Sequence, residues 1–286
     1  MEDSQRERLT LWQRMGARAI RRKAGRDADE PLRPEDWAVM WRLHEHGVSR
    51  LLNRVMFALP HGPRCGVCGA PFAGAGRFIT SPLGFRPSRK NPTVCATCVE
   101  LAPPGGMKMP AGVLFADLRG FTARFDGGDP EEASVVLRRF YRCAEEVLFP
   151  LAMIDKLIGD EVMALFLPAL KRDITAEEVP ALMLEHARAL LVAIGYGSAE
   201  GPFVEMGIGL DFGEAFVGNI GQRALFDFTA VGDVVNTASR LQGQAAGGEI
   251  VLSERVAQGL PRPVGIPTEL TLKGKAEPQR AYRVTL

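Results

Sequence analysis

From residue 107 onward, short apolar runs and long helix-like stretches follow one another in an order that leaves few folds open. GVLFADL is followed by the helical EEASVVLRRFYRCAEEVLF, by the paired runs LAMIDKLIG and EVMALFL, and by a second helical stretch, TAEEVPALMLEHARALLVAIG. Then come VEMGIGLDFG and EAFVGNIG, a helix over DVVNTASRLQGQA, and short strands at GEIVLS, ELTLKG and AYRVTL. Strand, helix, tight strand pair, helix and further strands predict an α+β fold, a sheet covered by helices. Asp117 and Asp160 each end a strand-like apolar run in this order. An acid in that position is costly unless paired or metal-bound. Two carboxylates on neighbouring strand ends can hold a pair of divalent ions about 3.5 to 4 Å apart, which suits in-line displacement at phosphorus.

Other readings of the same residues remain open at this level. The segment Leu118-Arg119-Gly120-Phe121-Thr122 leads from Asp117 into a helix. A Gly-containing turn of that kind offers backbone N–H groups to an anion, while Asp117 also suits a plain helix cap. Gly159-Asp160 is an ordinary hairpin turn as well. Lys156 shares a strand face with Ile158 and Asp160 if the alternation persists, although a lone Lys on a strand is usually solvated. Asn236 and Arg240 are four apart and project from one helical face. They supply a hydrogen-bonding group and a fixed cation that can bind a pentavalent phosphorus, or they form an exposed polar face with Val235, Ala238 and Leu241 buried behind it.

Three parts are expected: a helical region over 1–60, a small module over 61–106 and a catalytic domain over 107–286. The first carries an apolar stripe at helical spacing over residues 37–56, with Asp36 at its N-terminal end. The basic RMGARAIRRKAGR reads as a solvated helix, with contact to anionic lipid or RNA the lesser reading. The second is rich in Gly and Pro and holds Cys65, Cys68, Cys95 and Cys98 as two CxxC pairs, the spacing of a four-thiolate tetrahedral site. Zinc is its commonest occupant, iron also suits an all-sulfur site, and a redox-labile dithiol pair is the remaining reading. His61 is a minor ligand candidate, His44 and His46 diverge on their helix, His186 reads as a partly exposed helix residue, and Cys143 as a small buried one. A net charge of +1 gives no field to gather nucleic acid or anionic membrane. No run approaches the length of a bilayer span and no secretory signal is evident, so a cytoplasmic protein with reduced cysteines is expected.

FADLRGFT, KLIGDEVMALF, GLDFGEAFVGNIG, FTAVGDVVNTASRL and LKGKAEPQRAYRV, in that order, resemble the class III nucleotidyl cyclases over residues from about 108 to 286. The resemblance implies a ferredoxin-like catalytic domain with a central, mostly antiparallel sheet. It implies that Asp117 and Asp160, with the backbone of Leu118, hold two Mg2+ or Mn2+ ions, and that Leu118, Gly120, Phe121 and Thr122 receive the phosphates. Lys156 and Thr229 match the purine-selecting pair, and Lys with Thr goes with adenine where guanylyl cyclases usually show Glu and Cys, so ATP is the implied substrate. Asn236 would orient the ribose and Arg240 stabilise the transition state, with Lys273 or Lys275 on the triphosphate. Thr229 is similar to the bacterial subclass IIIb, some members of which respond to bicarbonate. Family sites are shared between two domains, so the chain is expected to form a homodimer with two equivalent sites. The rival expectations are a guanylate cyclase, a non-catalytic nucleotide sensor that keeps the fold, and a zinc-dependent nucleic-acid binder.

Overall fold

The computed structural model describes residues 63–65, 68–99, 105–149, 151–168, 174–222 and 225–286, with a few isolated positions before residue 60. The expected N-terminal helices, nearly all of the stripe over 37–56, and His44, His46 and His61 lie outside the described residues.

In chain order the elements are α1 (Gly74–Thr80), β1 (Gly105–Leu118), α2 (Phe121–Phe125), α3 (Pro130–Leu148), β2 (Met153–Ile158), β3 (Glu161–Phe166) and α4 (Val179–Ile194). They continue with β4 (Met206–Gln222), β5 (Leu225–Val231), α5 (Asp233–Gln242), β6 (Glu249–Ser253), α6 (Glu254–Gln258), β7 (Ile266–Leu270) and β8 (Gln279–Thr285). The chain divides into two compact units. The larger comprises residues 109–168, 174–215 and 230–286; the smaller comprises the described residues up to Lys108 together with Phe216–Thr229.

In the larger unit the strand order is β2-β3-β1-β4-β6-β8-β7. β1 with β3, β2 with β3, β6 with β8 and β7 with β8 are antiparallel, and β4 with β6 is parallel across the crossover through α5. Alternation along the strands decides which face each residue serves. Leu114, Ala116 and Leu118 of β1 and Ile250 and Leu252 of β6 join the main core, which α3 and α4 cover with Phe140, Ala144, Leu148, Met183, Ala187 and Leu190. Val251, between the two β6 residues, points the other way into a smaller cluster with Leu241 of α5, Leu270 and Ala281. The start of α3 is set by Asp129, whose Oδ1 accepts the Glu131 N–H at 2.8 Å, with Pro130 in the first turn. α5 lies directly on β4: a Cβ on Gly209 would come within 2.2 Å of the Gln242 nitrogen and 2.3 Å of the Ala238 oxygen. Only a glycine lets the helix that carries Asn236 and Arg240 approach so closely.

Three sequence expectations change in detail. VEMGIGLDFG and EAFVGNIG form one continuous strand, β4. ELTLKG ends as a strand at Leu270, because the chain turns where Lys275 N–H bonds the Leu272 carbonyl at 3.0 Å and Gly274 takes φ +76°. The alternation expected to align Lys156 with Ile158 holds, because the β2–β3 register shifts only before Lys156, between Ile154 and Lys156, but it does not extend to Asp160, which lies in the turn beyond β2.

In the smaller unit, α1 and two short cysteine-bearing turns precede β1, and β5 pairs with β4. Cys65 opens the first turn, accepting Gly69 N–H at 2.9 Å while its own N–H bonds the Ala70 carbonyl at 2.9 Å. The second is a single 3-10 turn, Ala96–Cys98, closed by Cys98 N–H on the Cys95 carbonyl at 3.0 Å.

Candidate active site and thiolate centre

Asp117 is the penultimate residue of β1 and stands directly opposite Glu161, the first residue of β3. Gly159, at φ +59°, and Asp160 form the two-residue turn between β2 and β3, whose last pair is Ile158 with Glu161. Leu118 N–H bonds the Asp160 carbonyl at 3.1 Å, so the two acids singled out in the sequence meet at one end of the sheet. The Tyr141 hydroxyl, from α3, donates to the Gly159 carbonyl and braces the turn. Asp117 and Glu161 are only part-exposed. Burial, above all, raises the carboxyl of Asp117 above the usual range; Asp160 adds to this, and the cation of Arg119 opposes it. Burial likewise raises Glu161, with Asp117 and Asp160 adding to it.

Arg119 joins this end of the sheet to α5. Its Nη1 lies 3.3 Å from Asp117 Oδ1, its Nη2 donates to the Gln242 carbonyl, and its backbone N–H bonds the Glu205 carbonyl at 2.8 Å. A crowd of carboxylates with one cation in contact is a donor set that a hard divalent ion fits. Beyond Gly120, at φ +67°, Phe121 and Thr122 begin α2.

Asn236 is exposed on α5 and Arg240 part-exposed, with Val234, Thr237, Ala238 and Leu241 buried behind them, so the expected one-sided helix forms. Arg240 Nη2 would lie 3.3 Å from a Cβ on Gly274, which places the guanidinium against the Lys273-Gly274-Lys275 turn. Lys275 is engaged: its Nζ lies 2.6 Å from Asp233 Oδ1, and hydrogen bonding from Lys275 lowers the Asp233 carboxyl. Lys273 is exposed. Lys156 is exposed on β2, 4.0 Å from Asp155 Oδ2. Thr229 is buried on β5, within the smaller unit. Among the described residues no hydrogen bond or ion pair joins Asp117 or Asp160 to Asn236 or Arg240. Glu161, Arg119 and Tyr141 were not apparent as site residues in the sequence. The adjacency of Glu161 to Asp160 was the one signal available.

The four cysteines converge as their spacing predicts. The Sγ atoms of Cys65, Cys68, Cys95 and Cys98 all lie within 4.8 Å of one another, with three of the residues buried. Cys68 and Cys95 Sγ are 3.7 Å apart, close to the edge of about 3.8 Å of a tetrahedron with metal–sulfur bonds of about 2.3 Å. Cys95 N–H donates to Cys65 Sγ at 3.2 Å. Burial opposes a charge on Cys65, but donation from the other three cysteines outweighs it and holds that thiol well below its usual range. The corresponding contacts, chiefly with Cys65, raise Cys95 and Cys98. A donor set of four clustered sulfurs, one of them already favouring the thiolate, fits a soft tetrahedral cation.

A helix-covered, mostly antiparallel sheet with acids gathered at the β1 end and the β2–β3 turn defines the nucleotidyl cyclase class. The family model of the adenylate and guanylate cyclase catalytic domain matches residues 107–282, and the chain belongs to that family. An adenylate cyclase of Anabaena cylindrica is 30% identical over 183 residues, which cover 60% of this chain and 36% of the relative. Adenylate cyclase 1 of Rhizobium meliloti is 30% identical over 140 residues, covering 46% of this chain and 20% of that protein. The chain thus spans about a third or less of the curated relatives it matches. Among solved structures, a guanylyl cyclase is 28% identical with a TM-score of 0.56, the match covering 63% of this chain and 93% of that one. The adenylyl cyclase CyaB from P. aeruginosa is 25% identical with a TM-score of 0.55, covering 63% and 95%. Among the described residues no helix is long and apolar enough to cross a membrane.

Proposed function

We propose that this chain is an adenylate cyclase, converting ATP to 3′,5′-cyclic AMP and pyrophosphate in two equivalent sites of a homodimer. The observation that carries the reading is the meeting of Asp117 and Asp160 at the β1 end beside the Leu118 backbone. These residues would hold a pair of Mg2+ or Mn2+ ions, which supply Lewis acidity at the ribose 3′-hydroxyl and neutralise the triphosphate. Asn236 orients the ribose, and Arg240 presents a fixed cation to the charge that builds on the α-phosphoryl oxygens. Lys156 and Thr229 select adenine. Lys273 is the better placed of the two lysines for the triphosphate, since Lys275 is held by Asp233.

The sharing of each site between two chains follows from two-fold symmetry, in which each interface residue serves twice, and among the described residues no hydrogen bond or ion pair joins Asp117 or Asp160 to Asn236 or Arg240. A guanylate cyclase is the second reading, favoured by the guanylyl cyclase neighbour at 28% identity. Residues 107–286 form the catalytic domain and 61–106 a thiolate module that takes one Zn2+ per chain, with iron the alternative occupant.

The test is cyclic AMP and cyclic GMP formation from ATP and GTP by the full-length chain, with Mg2+ and separately with Mn2+, beside Asp117→Ala. Cyclic AMP that vanishes in the variant supports the reading. Cyclic GMP alone moves it to the guanylate cyclase, and no product from a dimer that binds ATP moves it to a non-catalytic sensor.

A further inference from the structure

The thiolate module makes two separate contacts with the β4–β5 hairpin, both inside the smaller compact unit. Lys90 lies in the loop between the two cysteine pairs, with its Nζ 2.5 Å from Asp227 Oδ1 and donating to the Phe228 carbonyl at 2.8 Å. Val99 directly follows Cys98, and its carbonyl accepts from Asn219 Nδ2 at 3.1 Å, where Asn219 is buried on β4. Beyond the module, Gly105 and Gly106 at the start of β1 pack against the same strand: a Cβ on Gly106 would sit 2.3 Å from the Val217 oxygen, and one on Gly218 would sit 2.2 Å from the Gly105 oxygen. Both module contacts spring from backbone that the cysteines organise. Ser88 N–H bonds the Val94 carbonyl and Ala96 N–H bonds the Arg86 carbonyl, so the segment bearing Lys90 is tied to the second cysteine turn. Phe228, gripped by Lys90, immediately precedes Thr229, and Thr229 is buried on β5.

We infer that the four-cysteine module is a metal-dependent clamp on the β4–β5 hairpin, with Zn2+ in the thiolate site fixing Lys90 and Val99 and, through them, the position of Thr229. The inference rests on the reading of the four sulfurs as a zinc site and gives that site a task in nucleotide selection. A small module whose four sulfurs meet at one point folds around its ion, so metal binding and folding are the same event. Loss of the ion releases the loop that carries Lys90, and the buried stretch around Phe228 and Thr229 loses two bonds at once. Lys90 acts here as a positioning residue.

The experiment uses the full-length chain and begins with elemental analysis, for which one zinc per chain is expected. Hydrogen exchange of residues 216–229 is then compared with that of 250–253 before and after removal of the ion by a chelator. The clamp predicts exchange at least about tenfold faster in the hairpin and unchanged protection in the β6 core. Lys90→Met separates the clamp from the ion: it retains the zinc, yet speeds hairpin exchange and changes the ratio of ATP to GTP dissociation constants by about fivefold or more, while Lys90→Arg restores both. That ratio is read whether or not product forms, so a failure of the cyclase reading is told apart from a failure of the clamp. Absence of zinc overturns both the zinc site and the clamp. Stoichiometric zinc whose removal leaves hairpin exchange unchanged, or a Lys90→Met chain with wild-type exchange or an unaltered ratio, overturns the clamp and leaves the zinc site standing.

Discussion

Asp117 and Glu161 are direct cross-strand partners, and the turn that follows β2 brings the acid of Asp160 to the same end of the sheet. Like charges directly opposite one another destabilise a sheet, and burial raises both paired carboxyls. The unfolded chain ionises these groups more readily than the folded one, so above the raised folded range their charges weaken the fold, and the penalty is relieved as pH falls toward that range. Asp117→Asn is therefore expected to raise the melting temperature at neutral pH without divalent ions. The gain should shrink as pH is lowered into the carboxylate range. Added Mg2+ or Mn2+ should raise the melting temperature of the wild type more than that of the variant. A variant that is no more stable than wild type at pH 7 in chelator would show that these carboxyls are not strained.

Arg240→Ala should lower kcat by about 10^2 to 10^3 with little change in KM, the loss expected for one fixed group that acts on transition-state charge. Steady-state kinetics on a variant with unchanged far-ultraviolet circular dichroism decides this. A purely KM effect would assign Arg240 to ground-state binding.

The place of α5 depends on Gly209, where an added Cβ meets two backbone atoms that cannot swing away. Gly209→Ala should destabilise the fold by about 1 to 3 kcal/mol, as overpacking does. It should also depress turnover through Asn236 and Arg240. Denaturant melts that match wild type would mean that the helix has more room than its contact distances indicate.

Lys156→Glu combined with Thr229→Cys should lower the ATP-to-GTP ratio of kcat/KM by about tenfold or more, since selection between the purines rests on hydrogen-bonding groups that one base satisfies and the other leaves unpaired. A doubly substituted chain with wild-type preference would place purine selection elsewhere.

Element order was legible in the sequence because periodicity carries it. The runs around Leu114, Ile154 and Val162 became β1, β2 and β3, and the spacing of Asn236 and Arg240 became one exposed face of α5. Register and irregularity were not legible. The shift between Ile154 and Lys156 is a property of pairing with β3, and Asp160 falls in the turn rather than on the strand face of Lys156 and Ile158. The opposition of Glu161 to Asp117 exists only once β1 and β3 are aligned. The contacts of Arg119 with Asp117 and Gln242 span 123 residues of sequence on the helix side and depend on α5 lying against Gly209. Asp211, buried and gripped by Arg255 of α6, passed unnoticed because its partner lies 44 residues away.

The most direct test of the central claim, that ATP is cyclised in sites assembled from two chains, is to mix two inactive variants. Asp117→Ala lacks the acid set and Arg240→Ala lacks the α5 set, so a heterodimer of the two carries one intact site and one doubly damaged site. After subunit exchange, half of randomly mixed dimers are heterodimers, and the account predicts about a quarter of wild-type cyclic AMP formation from a mixture of two chains that are each nearly inactive alone. A mixture no more active than its components, in a preparation where exchange is demonstrated and the wild type turns over ATP, would contradict the shared site.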